Sequence, residues 1–97
     1  MRTITELIDL RGRTALITGA TGGIGQEAAL TIAELGGDLI LVDQPDSNYD
    51  QIKQNILDKW SVDIKCIDCD LEYKSSRLEL IKSIVQNNEN LDILINN

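Results

Sequence analysis

The stretch Thr18–Gly25, TGATGGIG, decides how the chain is read. It gathers four of the chain's seven glycines between the apolar run TALI (Thr14–Ile17) and the segment QEAALTIAEL (Gln26–Leu35). The run has the length of a strand. Ile24, Ala28, Ile32 and Leu35 then fall on one face at helical spacing, which predicts a helix from Ile24 to Leu35. A glycine-rich joint between a buried strand and a helix N-terminus suits an anion. Free backbone N–H groups and the positive end of the helix dipole converge there, and missing Cβ atoms let a pyrophosphate come close. Thr18 and Thr21 add hydroxyls. The plain alternative is a tight strand-to-helix turn with no ligand. Gly23–Ala28 also fits a loose G-x-G-x-x-G pattern, though it starts some residues late after the strand.

Working outward, Gly36-Gly37 stops the helix as a C-terminal glycine cap. DLILVD (Asp38–Asp43) is a second strand, apolar at four successive positions, as expected when both faces are buried in a parallel sheet. It ends on Asp43. A dinucleotide fold places an acid about 20 residues past its glycines, to hydrogen-bond the adenosine ribose hydroxyls. QPDSN is a turn, and Tyr49, Ile52, Ile56, Leu57 and Trp60 trace a second helix face. VDIKCIDC (Val62–Cys69) is a third strand. Leu78, Ile81 and Val85 mark a third helix with Ser75 or Ser76 near its start, NNEN (Asn87–Asn90) is a loop, and LDILI (Leu91–Ile95) is a fourth strand.

Strand–helix alternation predicts an α/β fold, a Rossmann-type doubly wound parallel sheet in the order 3-2-1-4 with helices on both faces. The sequence stops at Asn96-Asn97, hard against the fourth strand. Residues 1–97 therefore read as the N-terminal part of a single NAD(P)-binding domain, truncated after that strand.

Composition narrows the partners. The chain has 97 residues, 42% hydrophobic and 26% charged, enough for one small domain. A net charge of −7 argues against a nucleic-acid surface or a polybasic membrane patch. No apolar run reaches the roughly 18–20 residues that span a bilayer. The opening MRTITELIDLRG carries Glu6 and Asp9 and no long apolar stretch, so it is not a secretory signal, and the expected location is cytoplasmic. Cys66 and Cys69 form a C-x-x-C pair, but the chain has no His and no second pair, so no zinc site is expected. Three apart on a strand, they point to opposite faces as two small buried thiols.

On these motifs the chain resembles the short-chain dehydrogenases/reductases, in their compact single-domain branch. TGATGGIG is similar to that family's T-G-x-x-x-G-x-G loop through Thr18, Gly19, Gly23 and Gly25. CDL (Cys69–Leu71) is similar to the segment whose acid, here Asp70, meets the adenine amino group. LDILINN is similar to the start of its N-N-A-G motif. The extended, epimerase-like branch uses T-G-x-x-G-x-x-G, which Gly19, Gly22 and Gly25 also satisfy, but Asn96-Asn97 points to the compact branch. The resemblance implies that Gly19, Gly23, Ile24 and Gly25 line the pyrophosphate. It implies that Asp43 holds the ribose, Asp70 the adenine edge, and that Leu71 packs near the ring. Asn96 would lie under the ribose and tie the fourth strand to its neighbours. Plain alternatives stay open for Asp70, as a cap on the Leu71–Lys74 turn, and for Asn96, as a strand terminator.

The resemblance further implies hydride transfer between a nicotinamide and an alcohol or carbonyl substrate, with a Tyr-x-x-x-Lys pair and a Ser beyond the fourth strand. Tyr49–Lys53 does spell Y-x-x-x-K, but it follows the second strand, on the adenosine side, and is not assigned a catalytic role. No catalytic residue falls within the chain, which alone is expected to be inactive and weakly folded. NAD is expected over NADP, because Asp43 repels a 2′-phosphate and no Lys or Arg falls between Gly22 and Asn48. The intact protein is expected to form a homo-oligomer. The competing reading is a non-catalytic module that binds a nucleotide.

Overall fold

The computed structural model describes residues 8–86 and 90–97. The opening segment Met1–Leu7 and most of the expected NNEN loop, Asn87–Glu89, lie outside the described residues. The elements alternate as expected: β1 (Thr14–Thr18), α1 (Gly23–Glu34), β2 (Asp38–Asp43), α2 (Asp50–Leu57), β3 (Ile64–Asp68), α3 (Lys74–Gln86) and β4 (Ile93–Ile95). The four strands form one parallel sheet in the order β3-β2-β1-β4.

Strand alternation sorts the apolar side chains onto two faces. Ala15, Ile17, Leu39 and Leu41 point to one face, where Ala29, Ile32 and Ala33 of α1 and Ile52 and Ile56 of α2 cover them. Leu16, Ile40 and Val42 point to the other, where Leu80 of α3 packs with Cys69. The two cysteines do take opposite faces, Cys69 buried and Cys66 half-buried against the α1–α2 side. Burial pushes the Cys66 thiol pKa up, which favours the neutral thiol over the thiolate.

Three expectations about faces and bounds need correction. Ile24 is 74% exposed, not in the core. The reason is Gly25 beside it: a Cβ there would lie 2.2 Å from the Gly19 carbonyl oxygen, so the helix is turned with its glycine against β1's end. One residue round the helix, Ile24 faces outward. In α3, Leu78, Ile81 and Val85 are exposed, while Leu80 and Ile84 face the sheet. The Ser76 hydroxyl accepts a hydrogen bond from the Asp70 N–H at 3.0 Å. Ser76, Leu80 and Ile84 follow one another at helical spacing, so this bond lies on the same stripe that turns inward. Leu57 is likewise exposed, and Trp60 lies past the end of α2, packed beside the core.

Strand ends are shorter than the apolar runs suggest. β3 covers Ile64–Asp68 rather than Val62–Cys69. β4 begins at Ile93 rather than Leu91, because the Asp92 carboxylate turns to accept the Thr14 N–H at 2.9 Å. The end of α1 is as expected, with Gly36 N–H donating to Ala33 and Gly37 N–H to Ile32. Among the described residues no helix is long and apolar enough to cross a membrane.

Candidate nucleotide site

The glycines of TGATGGIG serve two different purposes. Gly19 has φ +63°, the left-handed conformation that turns the chain sharply out of β1. Gly25 makes room for the chain's own backbone, as its contact with Gly19 shows. Gly23 instead faces open space, with nothing within 4 Å of a Cβ there. It opens α1, whose N-terminus has no side-chain cap and no acid in its first turn. The positive end of the helix dipole is thus not offset by a side chain of the first turn.

Asp43 closes β2 beside this turn. Its Oδ2 accepts the Thr21 N–H at 2.9 Å and the Thr21 hydroxyl at 2.6 Å, and its Oδ1 accepts the Gln44 N–H at 2.8 Å. Burial pushes the carboxyl pKa up, but the bonds from Thr21, Gln44 and the Ser47 side chain outweigh it and leave it below its ordinary 3.8. Asp43 is therefore a fixed anion at neutral pH.

A cleft of about 170 Å³ lies at the carboxyl edge of the sheet, lined by Gly19, Val42, Asp43, Gln44, Cys69, Asp70, Leu71, Glu72 and Asn97. Four of the residues singled out from the sequence, Gly19, Asp43, Asp70 and Leu71, thus meet in one place. The Asp70 Oδ1 accepts the Glu72 N–H at 3.1 Å, so this acid caps its own turn while lining the cleft. Thr21 reaches the cleft through Asp43. Thr18 and Asn96 lie elsewhere. The buried Thr18 hydroxyl donates to Asn96 Oδ1 at 3.0 Å and accepts the Asn97 N–H at 3.1 Å, which locks β4 to β1.

Sequence reasoning missed Gln44, Glu72 and Asn97 as cleft residues, and missed Tyr49 altogether as a partner of Asp43. Their adjacency to Asp43, Asp70 and Asn96 was the available signal. Tyr49 gave none beyond its place before α2. Its hydroxyl accepts the Asp43 backbone N–H at 3.0 Å and lies 3.1 Å from Asp68 Oδ1. Burial and Asp68 drive the Tyr49 pKa up, opposite to the need of a phenolate base, although Lys53 follows at the matching spacing.

Parallel strands in this order, reversing direction of winding between β1 and β4 beside the glycine turn, define a Rossmann-type domain. Comparison with known proteins places it further. Residues 13–97 match the family model for short chain dehydrogenase, and the chain belongs to that family. It is 32% identical over 96 residues to an uncharacterized oxidoreductase of Schizosaccharomyces pombe, covering 98% of this chain and 28% of the relative. It is 35% identical over 95 residues to the chloroplastic short-chain dehydrogenase TIC 32 A of Brassica napus, covering 97% of this chain and 30% of the relative. Among solved structures, L-sorbose reductase from Gluconobacter frateurii, complexed with NADPH and L-sorbose, superposes with a TM-score of 0.81 at 25% identity, covering 92% of this chain and 34% of that one. The chain spans about a third of the length of the curated relatives it matches.

Proposed function

We propose that the chain is the N-terminal, cofactor-binding part of a single Rossmann domain in a nicotinamide-dependent oxidoreductase. The intact protein would move hydride between the nicotinamide and a small alcohol or carbonyl substrate, in a cytoplasmic homo-oligomer without nucleic-acid or membrane partners. The observation that carries this reading is the meeting of Gly19, Asp43, Asp70 and Leu71 around one cleft, next to an uncapped helix N-terminus. The pyrophosphate would sit over Gly23 and the first turn of α1. The adenine would enter between Asp70 and Leu71, and the ribose would meet Asp43.

NAD is the proposed cofactor, although L-sorbose reductase was solved with NADPH. A carboxylate offers about four acceptor positions; Thr21 and Gln44 fill three, and the Ser47 side chain also bonds it. The ribose diol would displace the Ser47 or the Thr21 hydroxyl. A 2′-phosphate at about 4 Å from Asp43 would instead meet repulsion on the order of 4 kcal/mol per charge pair at an effective dielectric near 20, before screening. No Lys or Arg from Gly22 to Asn48 offsets it. The reacting Ser, Tyr and Lys are assigned to the part of the family's chains beyond the fourth strand.

Calorimetric titration with NAD and with NADP tests this reading. NAD is expected to bind more tightly, and Asp43→Ala to weaken NAD and strengthen NADP. Equal affinities in the native chain, or an unchanged preference in the variant, contradict it. A non-catalytic binding module would share the same cleft and differ only in showing no turnover at any length of chain.

A further inference from the structure

Tyr49 comes six residues after Asp43, as the residue that opens α2, and its hydroxyl returns to the strand ends. It accepts the Asp43 backbone N–H at 3.0 Å. It lies 3.1 Å from the Ile67 carbonyl oxygen and 3.1 Å from Asp68 Oδ1. The Asp43 carbonyl oxygen stands farther off, at 3.5 Å, and a phenol has one proton, so it donates to one of these acceptors at a time. Its acceptor role toward the Asp43 N–H is the same in each state. Asp43 and Asp68 are partners in the β2–β3 register, so a single hydroxyl spans the last rung of that ladder. The ring packs against the core under α1 and α2, which fixes where the hydroxyl can stand. Asp43 is thus gripped twice: at its main chain by Tyr49, and at its carboxylate by Thr21 and Gln44.

We propose that Tyr49 is a positioning residue for nucleotide selection, its hydroxyl joining Asp43 to Ile67 and Asp68 so that the Asp43 carboxylate is set at the height and direction a ribose diol requires. The inference rests on the reading of Asp43 as the ribose acid. Two features separate it from a plain role in stability. Tyr49→Phe leaves the charge of Asp43 in place, so repulsion of a 2′-phosphate persists. What it loosens is the directed bonding to the diol, which only NAD uses.

The test is calorimetric titration of the native chain, Tyr49→Phe and Asp43→Ala with NAD and NADP, each with a thermal melt. Tyr49→Phe is expected to weaken NAD about fivefold, the size of one misaligned hydrogen bond to a charged group, and to leave NADP unchanged. Asp43→Ala is expected to weaken NAD and strengthen NADP. A Tyr49→Phe chain that keeps the native ratio, or that loses both nucleotides equally, overturns the positioning role while the Asp43 reading stands. An Asp43→Ala chain that keeps the native ratio overturns both. If Tyr49→Phe shows no cooperative melt, the native chain still decides by proton NMR. The Tyr49 hydroxyl proton should keep its cross-peak to the Asp43 amide when NAD saturates the site. Loss of that cross-peak on binding overturns the proposal.

Discussion

The two faces of the sheet are built from the same strands yet end in different states. Under α1 and α2 the face is closed: Ile17, Leu39, Leu41, Ile52 and Ile56 are all at most 1% exposed. On the other face α3 covers only part of the sheet. A groove of about 550 Å³ runs between Leu16, Leu80, Ile84 and Leu94, and Leu94 is 67% exposed. The difference does not come from the strands, which alternate apolar residues to both sides. It comes from the number of helices that pack on each side among the described residues. Apolar burial contributes roughly 25 cal/mol per Å². Leu16, Ile40 and Val42 on the second face are at most 4% exposed, so both faces stabilise the sheet, and the difference is confined to the groove beside β4. The cleft lined by Gly19, Asp43 and Asp70 stands at the carboxyl edge, and Asp43 reaches it from a strand flanked on both sides.

Substitutions in the closed core and at the exposed edge of the groove should therefore differ most. Ile17→Ala or Ile56→Ala removes a fully buried side chain and should cost about 2–5 kcal/mol. Leu94→Ser should stay within about 0.5 kcal/mol, while reducing any self-association through the exposed groove. Chemical denaturation and sedimentation of the three variants measure both effects. Equal losses at the core positions and at Leu94 would show that the groove is covered in solution.

A smaller effect concerns acid. The Asp43 pKa is lowered on folding, so its contribution to stability is present above its unfolded value near 3.8 and is lost as pH falls through the folded value. Thr21→Val removes the hydroxyl at 2.6 Å and should flatten that acid limb while leaving neutral-pH folding cooperative. Denaturation curves between pH 2 and pH 6 check it, and an acid limb as steep as the native one would assign the bond no weight.

Much of this was legible in the residues. Strand order, the alternation of elements and the convergence of Gly19, Asp43 and Asp70 follow from apolar runs punctuated by glycine and from an acid closing the second strand. What stayed hidden was rotation and reach. Apolar residues in α3 offer two stripes, and the one through Leu80 and Ile84, in line with the Ser76–Asp70 bond, packs on Leu16, Ile40 and Val42. Ile24 belongs to a helical apolar pattern, but the backbone contact at Gly25 turns it outward. The Tyr49 hydroxyl returns across a loop to the strand ends, a tertiary contact with no local pattern to announce it.

The most direct test of the central claim is an amide NMR titration of the 97-residue chain with NAD. The account predicts shifts at Gly19, Thr21, Gly23, Asp43 and Asp70, with Leu80 and Leu94 in the open groove unmoved. Shifts centred on Leu80 and Leu94, or no saturable shift anywhere, would contradict it.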